Sequence, residues 1–444
     1  MKTICVIGLG YIGLPTASLL ATRRFQVHGV DVRPQVVETI NRGNIHIQEP
    51  DLDVMVMSAI QSGYLTASLT PAPADVFIIA VPTPFQEGHI PDLSYVEAAT
   101  LSLAPHLAPG NLVVLESTSP VGTTEKIAQL LREQRPDLDV PLPDILSSEF
   151  PSTGASETME RDHPSIFIAH CPERVLPGKI LTELVENDRI IGGINAASAR
   201  VAQEFYSQFV HGKIFLTHAR TAELAKLAEN AYRDVNIAFA NELSMICDRL
   251  KIDVWELIEL ANRHPRVNIL RPGPGVGGHC IAVDPWFIVH SARDEAQLIR
   301  TARAVNENKT EHVLRSVKKA AAEGSGGSQP VIACLGLAFK ADVDDLRESP
   351  ALEIVRHLAQ EGTGQILVVE PHIEALPPEL ADFAGIRLVD TETAMQQAEI
   401  IVLLVDHRHF ASLDPLLLRE KTVIDTRGLW SQTERAAGSA TTRN

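Results

Sequence analysis

Cys280 lies in a segment whose composition suits thiol chemistry. Four glycines precede it in the stretch Gly273-Pro-Gly-Val-Gly-Gly-His-Cys280, and Asp284 follows. Glycines at these positions expose backbone N–H groups and leave room for a ligand against the sulfur. A helix beginning at Cys280 would place Asp284 on the same face, and a helix N-terminus with a nearby ammonium lowers the pKa of a thiol. The segment favours a reactive thiolate. A structural cysteine in a glycine-rich turn is the alternative.

A polar stripe marks the segment from Ala219 to Lys251, which predicts one long helix because it lacks Gly and Pro for more than thirty residues. Four side chains fall within a sector of roughly 80° at the helical period: Glu223, Lys226, Asn230 and Arg233. Alone, such a stripe is typical of a solvated helix face. Its apolar neighbours on both sides favour a helix that lines a closed site, and its length favours an element that crosses between domains or supports a dimer.

The turn Gly8-Leu-Gly10-Tyr11-Ile12-Gly13 follows the first predicted strand and opens a helix near Ile12, which is the context that a dinucleotide-binding fingerprint requires. Its glycines allow a tight turn and a close approach to the pyrophosphate, and the helix N-terminus faces the phosphates. Asp31 ends the second strand, where it can accept hydrogen bonds from a ribose 2′-hydroxyl, so it favours NAD. Arg33 nearby would instead suit the 2′-phosphate of NADP.

Hydroxyl side chains follow two later strands. Thr83 lies in Val81-Pro-Thr-Pro84, and Thr118 lies in Glu116-Ser-Thr-Ser-Pro120. Ligands of such sheets bind at the carboxyl ends of the strands, so we expect Thr83 and Thr118 beside the cofactor. Each motif alone would be typical of a turn or a helix cap.

Strand-like runs alternate with amphipathic helices at both ends of the chain and give way to helices between them. The predicted strands are Thr3–Gly8, Gln26–Asp31, Val76–Pro82, Leu112–Glu116, Ser165–Ala169, Arg189–Gly192, Val331–Gly336, Ile366–Glu370, Ile400–Asp406 and Thr422–Asp425. The pattern predicts an α/β protein with two Rossmann-like α/β domains joined by a central all-helical domain with a long spanning helix. We expect an NAD-binding domain over 1–212, a helical domain over 213–322 and a smaller α/β domain over 330–432. The stretch 141–164 predicts a long surface loop.

Composition limits the partners. The 444 residues carry a formal charge of −17, which argues against nucleic acid or an anionic membrane as the main partner. Five scattered cysteines lack any CxxC spacing and suit a reducing compartment. The N-terminus does not resemble a signal peptide, and no apolar run is long enough to predict a membrane span. We therefore expect a cytoplasmic protein.

A thiol, a lysine and an NAD site together predict oxidation of an alcohol to an acid. One hydride transfer gives an aldehyde. A second requires a hydrated or thiol-bound aldehyde, and a cysteine adduct leads through a thioester. Lys226 and Asn230 can donate hydrogen bonds to the oxyanions, and Asp284 can activate the water that releases the acid.

Seven motifs closely resemble the UDP-glucose/GDP-mannose dehydrogenase family, in one order over nearly the whole chain: GLGYIGLP, VPTP, ESTSPVGTT, CPERVLPGK, ELAKLAENAYRDVN, PGPGVGGHCIAVDPW and GLAFKADVDDLRESPA. The resemblance implies a central dimerising domain and a C-terminal UDP-sugar domain. It implies a homodimer, Cys280 as nucleophile, and Asp284, Thr118 and Glu173 around the catalytic water.

The resemblance also implies roles for binding residues. Contacts to the sugar nucleotide are implied for Lys226, Asn230, Gly277, Phe339, Lys340 and Arg427, and Arg347 is implied to reach the cofactor. His264 and Arg266 resemble a contribution from the neighbouring subunit. Arg427 stands where close relatives usually have Lys; both can hold a phosphate, with different geometry.

Departures from the family pattern bear on the substrate. Val283 and Pro177 stand where UDP-glucose enzymes typically carry Lys and Glu. The motifs instead resemble the branch that oxidises UDP-N-acetylhexosamines, and most of all UDP-N-acetyl-D-mannosamine, with Arg174, Val175 and Arg233 as substrate contacts. That resemblance implies a role in supplying a surface polysaccharide such as the enterobacterial common antigen. UDP-N-acetylglucosamine and UDP-glucose are the alternative substrates.

Two other classes of protein share some of these features. A β-hydroxyacid dehydrogenase also has a Lys-x-x-x-Asn helix after a Rossmann domain, but it performs one oxidation and needs no thiol. A sugar-nucleotide sensor would keep the fold without the chemistry. The presence of Cys280 with every other catalytic group favours the dehydrogenase that transfers two hydrides.

Overall fold

The computed structural model describes residues 2–143, 166–278, 280–324 and 329–430. The chain forms two compact units, Met1–Glu229 with Trp286–Ala292 and Asn230–Pro285 with Arg293–Asn444. The loop predicted over 141–164 lies almost entirely outside the described residues. The division into three domains stays a prediction.

The first unit is built on a mostly parallel sheet. Its strands are β1 (Thr3–Ile7), β2 (Gln26–Val30), β3 (Leu65–Ser68), β4 (Val76–Ile79), the short hairpin β5 (Phe85–Gln86) and β6 (Ile90–Pro91), then β7 (Leu112–Leu115), β8 (Phe167–His170), β9 (Arg189–Gly193) and β10 (Ile214–His218). Apart from the hairpin they form one eight-stranded sheet in the order β10-β9-β8-β7-β4-β1-β2-β3. Every neighbouring pair in this sheet is parallel except β8 and β9, where Ala169 lies opposite Gly193.

Helices cover both faces of this sheet. They are α1 (Gly13–Thr22), α2 (Pro34–Asn41), α3 (Leu52–Gln61), α4 (Ser94–Leu103), α5 (Thr123–Gln134), α6 (Ile180–Glu186) and α7 (Ala196–Tyr206). Alternate residues of β1 enter opposite cores: Val6 packs with α1, α3 and α7, whereas Ile7 packs with α4 and α5. A strand covered on both faces reads as a continuous apolar run, which is why the sequence predicts it.

Long helices follow the first sheet. They are α8 (Ala219–Leu250), α9 (Val254–Ala261), α10 (Asp284–Ser291) and α11 (Gln297–Gly324). The predicted helix from Ala219 to Lys251 is confirmed to within one residue. No helix among the described residues is both long and apolar enough to cross a membrane.

The second unit contains a parallel sheet of its own. Its strands are β11 (Val331–Leu335), β12 (Gln365–Val369), β13 (Ile386–Leu388), β14 (Ile400–Leu403) and β15 (Thr422–Asp425), and its remaining helices are α12 (Pro350–Gln360), α13 (Pro378–Ala381), α14 (Thr391–Gln397) and α15 (Arg408–Ala411). The strand order is β13-β12-β11-β14-β15. The predicted fold class is confirmed: two Rossmann-like parallel sheets and a helical region between them along the chain. The sequence did not predict β3, β10, β13 or the short hairpin strands β5 and β6.

Candidate active site

The glycine turn after β1 has the shape that a pyrophosphate requires. Gly8 has φ +94°, and a Cβ there would lie 2.4 Å from the Ala80 carbonyl oxygen. A Cβ at Gly13 would lie 1.7 Å from the Gly8 carbonyl oxygen, whereas one at Gly10 would meet no atom within 4 Å. Helix α1 begins at Gly13, and the side chain of Ile12 does not cap it. The turn leaves space at Gly10 and presents a helix N-terminus, so the residues fit a bound dinucleotide.

Asp31 holds this turn in place and favours NAD over a cofactor with a 2′-phosphate. Its Oδ2 accepts a hydrogen bond from the Leu9 amide (3.3 Å), and its Oδ1 accepts from the Arg33 amide (3.0 Å) and from Arg33 Nε (3.2 Å). The Arg33 guanidinium is thus held by the carboxylate, which would repel a 2′-phosphate. Ribose hydroxyls can still donate to the remaining lone pairs of Asp31, as NAD binding requires.

The two hydroxyl-bearing loops lie together. Thr83 Oγ1 donates to the Thr118 carbonyl oxygen (2.6 Å), and Ser117 Oγ donates to the Val81 carbonyl oxygen (2.7 Å). The Thr83 proton is therefore used to join the loops, and its oxygen keeps acceptor capacity. These bonds hold Thr118 at the carboxyl edge of the first sheet.

Glu223 has a role that the sequence did not predict. Its carboxylate accepts hydrogen bonds from the Gly122 amide (2.7 Å), the Thr124 amide (2.8 Å) and Thr124 Oγ1 (2.6 Å). These amides are at the N-terminus of α5, so Glu223 caps that helix from α8. Burial raises the pKa of Glu223 to about 6, against these hydrogen bonds. The capped helix follows the Thr118 loop directly.

Helix α8 also contacts the segment after β8. Arg174 forms a fork to Glu229, with Nε 3.1 Å from Oε2 and Nη2 2.7 Å from Oε1. Glu173, the residue before it, is buried and ion-paired with Arg189. Val175 is half-buried and packs against the core of the first unit. Lys226 is half-buried on the same helix.

Cys280 lies in a turn. A helix beginning at Cys280, the condition under which Asp284 would share its face, is not formed, and α10 begins at Asp284. The Val283 and Asp284 amides donate to the Cys280 carbonyl oxygen at 3.1 and 2.8 Å. Pro285 explains the difference, because proline lacks an amide proton and is tolerated only in the first turn of a helix. Asp284 is buried, and its Oδ2 accepts a hydrogen bond from Asn230 Nδ2 at 2.5 Å.

The other four cysteines are unsuited to nucleophilic chemistry. All four are buried, whereas Cys280 is exposed. Burial raises the pKa of Cys5 to about 11 and the pKa of both Cys171 and Cys334 to about 12. Burial also raises the pKa of Cys247. Thiolate attack at neutral pH therefore favours Cys280.

The glycines before Cys280 pack against residues expected to bind the sugar nucleotide. Gly278 has φ +81°, and a Cβ there would lie 2.9 Å from the Phe339 ring. A Cβ at Gly277 would lie 2.2 Å from the Glu348 carbonyl oxygen, and one at Gly273 would lie 2.4 Å from Arg427 Nη1. The second unit thus brings the cysteine turn beside Phe339 and Arg427.

The remaining predicted site residues lie at the surface of the second unit. Arg427 Nε donates to Asp406 Oδ1 (2.8 Å), and Arg347 forms a fork to Asp345. Four further predicted site residues have exposed side chains: Arg233, His264, Arg266 and Lys340. These positions suit binding of a ligand or a partner, and their roles stay predictions.

A polar cluster at the carboxyl edge of the second sheet was not predicted. His407 Nε2 lies 3.1 Å from Glu370 Oε2, and the Asp342 amide donates to His407 Nδ1 at 2.9 Å. Potential metal-binding atoms of Asp342, His372 and His407 lie within 4.8 Å of one another. Both His407 nitrogens already face hydrogen-bond partners. These hydrogen bonds explain the cluster without a metal ion, because they hold the loop after β11, which carries Lys340. The sequence feature that could have indicated this cluster is the polar residue at the end of each predicted strand.

Family models match three consecutive parts of the chain. They describe the NAD binding domain (residues 2–210), the central domain (220–308) and the UDP binding domain (333–432) of the UDP-glucose/GDP-mannose dehydrogenase family.

Similar proteins match over almost the full length. The chain is 57% identical over 436 residues to an NDP-N-acetyl-D-galactosaminuronic acid dehydrogenase of Ralstonia nicotianae, covering 98% of each chain. It is 54% identical over 434 residues to a UDP-N-acetyl-D-mannosamine dehydrogenase of Yersinia pestis, covering 97% of this chain and 99% of that one. The structure of a UDP-D-ManNAc dehydrogenase from Pyrococcus horikoshii is similar with a TM-score of 0.81 and 38% identity, covering 96% of each chain.

Proposed function

The chain belongs to the UDP-glucose/GDP-mannose dehydrogenase family, and on this premise we propose that it oxidises C6 of UDP-N-acetyl-D-mannosamine to the uronate. It is an NAD-dependent UDP-sugar dehydrogenase. In the proposed reaction one alcohol, one water and two NAD+ give one carboxylate, two NADH and three protons. Bound NAD supplies the hydride acceptor for both oxidations.

One observation carries the covalent route: the exposed Cys280 turn adjoins both the Asn230–Asp284 pair and the Phe339 and Arg427 side chains. A sugar nucleotide held at Phe339 and Arg427 would bring its sugar toward the sulfur. The thiolate then adds to the C6 aldehyde, and oxidation of this adduct gives a thioester.

The neighbouring polar groups have distinct proposed roles. Asn230 uses one amide proton on Asp284, which leaves the second for the oxyanion that forms at C6. Lys226 supplies an ammonium for the same charge. Asp284, oriented by Asn230, activates the water that attacks the thioester, with Glu173 and Thr118 holding that water.

The proposal of a 2-acetamido sugar is based on the relatives. They also support a second candidate substrate, which should be tested alongside the first. The 57% identity to the Ralstonia nicotianae protein favours an N-acetylgalactosamine nucleotide, whereas the Yersinia pestis protein favours UDP-N-acetyl-D-mannosamine. These sugars differ in the configuration at C2 and C4, near side chains such as Arg174, Val175 and Arg233.

Turnover on separate UDP-sugars decides between them. Purified enzyme is incubated with NAD and UDP-N-acetyl-mannosamine, -galactosamine or -glucosamine, or UDP-glucose, and the product is identified by mass. We expect the greatest kcat/KM on UDP-N-acetyl-D-mannosamine, with two NADH per uronate. Preference for the galacto sugar would replace the substrate, and one NADH per product would refute the covalent double oxidation.

We further propose a cytoplasmic homodimer that supplies uronate for a surface polysaccharide. Tyr232, Phe239 and Ile246 repeat every seven residues on α8 and are 72%, 52% and 46% exposed. Apolar side chains at this spacing suit packing against a second helix. The exposed His264 and Arg266 would then reach the neighbouring subunit's substrate. Sedimentation that shows only monomer at assay concentration would remove the dimer.

A further inference from the structure

Arg189 lies beneath Glu173 in the core of the first unit. Its Nη1 donates to Glu173 Oε2 at 2.6 Å, and its Nη2 donates to the Leu184 carbonyl oxygen at 2.9 Å. The guanidinium also lies 5.7 Å from the centroid of the Tyr206 ring. Arg189 is 2% exposed and Glu173 is 6% exposed. A buried arginine held at three points is a rigid support for the carboxylate.

The Glu173 carboxylate is held on both oxygens. Its Oε1 accepts from the Arg174 amide at 2.6 Å, while its Oε2 takes the bond from Arg189. A carboxylate oxygen has two lone pairs, so each oxygen keeps one for a water molecule. Glu173 is thus fixed in direction and still able to accept a hydrogen bond from a water molecule.

A second carboxylate shares this buried region. Glu116 is 2% exposed, and its Oε1 accepts a hydrogen bond from Tyr206 Oη at 2.6 Å. Its Oε2 has no hydrogen-bond partner among the described residues. Burial, followed by the negative charge of Glu173, raises the pKa of Glu116 to about 7, against the attraction of Arg189. The Arg189 guanidinium is therefore the cation near both buried acids, and of the two acids it contacts Glu173 directly.

We propose that Arg189 is a positioning residue that holds the Glu173 carboxylate fixed in direction for the water that releases the uronate from Cys280. The inference rests on the proposed function. In that step the water oxygen bonds to the acyl carbon, and the carbon–sulfur bond breaks with its electron pair going to sulfur. One proton of the water passes by way of the Asp284 carboxylate to the sulfur, and the other is lost when the uronic acid ionises.

Removal of Arg189 leaves two buried carboxylates without their cation. Buried negative charge without a counterion is costly, so the Glu173 side chain would lose its fixed direction. Attack of the water on the thioester would then slow, while the two hydride transfers would not.

The test compares Arg189→Met and Arg189→Lys with Arg135→Met as a matched control. Arg135 also joins a carboxylate, Asp137, to two carbonyl oxygens, of Ala104 and Leu107, elsewhere in the first unit. Full-length enzyme is mixed with NAD and the best UDP-sugar, NADH is followed during the first turnover, and quenched enzyme is analysed by mass for the Cys280 acyl adduct.

For Arg189→Met we expect first-turnover NADH within about threefold of wild type, accumulation of the acyl adduct, and uronate release slower by about a hundredfold, a loss within the range of disturbed acid–base catalysis. Arg189→Lys should restore part of the release rate. Arg135→Met should show neither change.

Three results would overturn the inference. Unchanged uronate release by both Arg189 variants would show that Glu173 needs no support. Equal loss of hydride transfer and release, as in a partly unfolded control, would show a structural role alone. Failure of wild type to make uronate from any UDP-sugar would remove the proposed function itself, and that result is seen before any variant is made.

Discussion

The amide of Asn230 donates to the Asp284 carboxylate across 2.5 Å and 54 residues of sequence. Helix α8 supplies the amide, and the first residue of α10 supplies the acid. The two groups proposed to stabilise the oxyanion and to activate water are therefore a single hydrogen-bonded pair. A change in either should be felt by the other.

Asp284→Asn tests this pair. The variant keeps the shape of the side chain but removes the base, so we expect uronate release to fall by about a hundredfold or more while the first NADH still forms. Acyl adduct on Cys280, detected by mass in quenched enzyme, should accumulate. Asn236→Ala, a change at a half-buried residue of α8, the helix that carries Asn230, should leave release unchanged. Normal uronate release by Asp284→Asn would mean that another group activates the water.

Selective alkylation should report the state of Cys280. Because the other four thiols are buried, iodoacetamide should first modify one cysteine per chain, and peptide mapping should find it at Cys280. Activity should fall in parallel, and a UDP-sugar should slow both. Cys280→Ser should bind NAD but form no acid. Early modification of Cys247 or Cys5 without loss of activity would contradict the assignment.

Asp31→Ala should weaken NAD binding with little effect on kcat. The side chain holds the Leu9 amide of the glycine turn and is proposed to accept hydrogen bonds from the ribose; charged hydrogen bonds of this kind are worth about 10- to 100-fold in affinity. We therefore expect that increase in the KM for NAD. Arg33→Ala is the control, since an exposed ion pair contributes little. An unchanged KM for NAD in Asp31→Ala would place the ribose elsewhere.

Glu116→Gln should change how stability depends on pH. The pKa of Glu116 is raised from 4.5 to about 7 in the folded protein, so the folded state binds more protons than the unfolded state between these values. Wild-type stability therefore loses up to about 3 kcal/mol from this group as pH rises through that window. Glutamine does not titrate. Denaturant unfolding at pH 5 and pH 8 should show the variant gaining relative to wild type at pH 8; an equal difference at both would refute the raised pKa.

Gly278→Ala should weaken binding of the UDP-sugar, and Gly63→Ala should not. Both glycines have positive φ, +81° and +75°, so both substitutions strain the backbone by about 1 kcal/mol. Only at Gly278 would the new Cβ press on the Phe339 ring, at 2.9 Å, since Gly63 has open space. We expect about a tenfold rise in the KM for the UDP-sugar in Gly278→Ala alone. Equal effects would mean that Phe339 does not contact the ligand.

Local patterns made much of the fold predictable. Strands buried on both faces read as apolar runs, and the long interval without Gly or Pro predicted α8. The strand β13 spans only Ile386–Leu388, and β10 (Ile214–His218) lies at the start of the region expected to be helical, so neither strand was predicted. The condition of a helix start at Cys280 is not met, because the turn there is closed by hydrogen bonds and Pro285 belongs to the first turn of α10.

The partners of the site residues were not predictable from one sequence. Spacing in the stripe predicted that Glu223 and Lys226 share a helix face, but it could not show that Glu223 caps α5 from about 100 residues away. The Glu173–Arg189 pair likewise joins two strands whose pairing depends on the folded sheet. Residue type predicted the chemistry, and tertiary contact decided which groups are held rigidly.

The single antiparallel pair in the first sheet bears on how this enzyme could be redesigned. Ala169 lies opposite Gly193 and His170 opposite Gly192, and continuing that alignment beyond the strand end puts Glu173 opposite Arg189. In a uniformly parallel sheet the first residue of a strand would lie at the far edge and could not reach. Because strand alignment makes this contact, the side chains of Arg174 and Val175, which we propose as sugar contacts, could be exchanged while Arg189 still supports the acid.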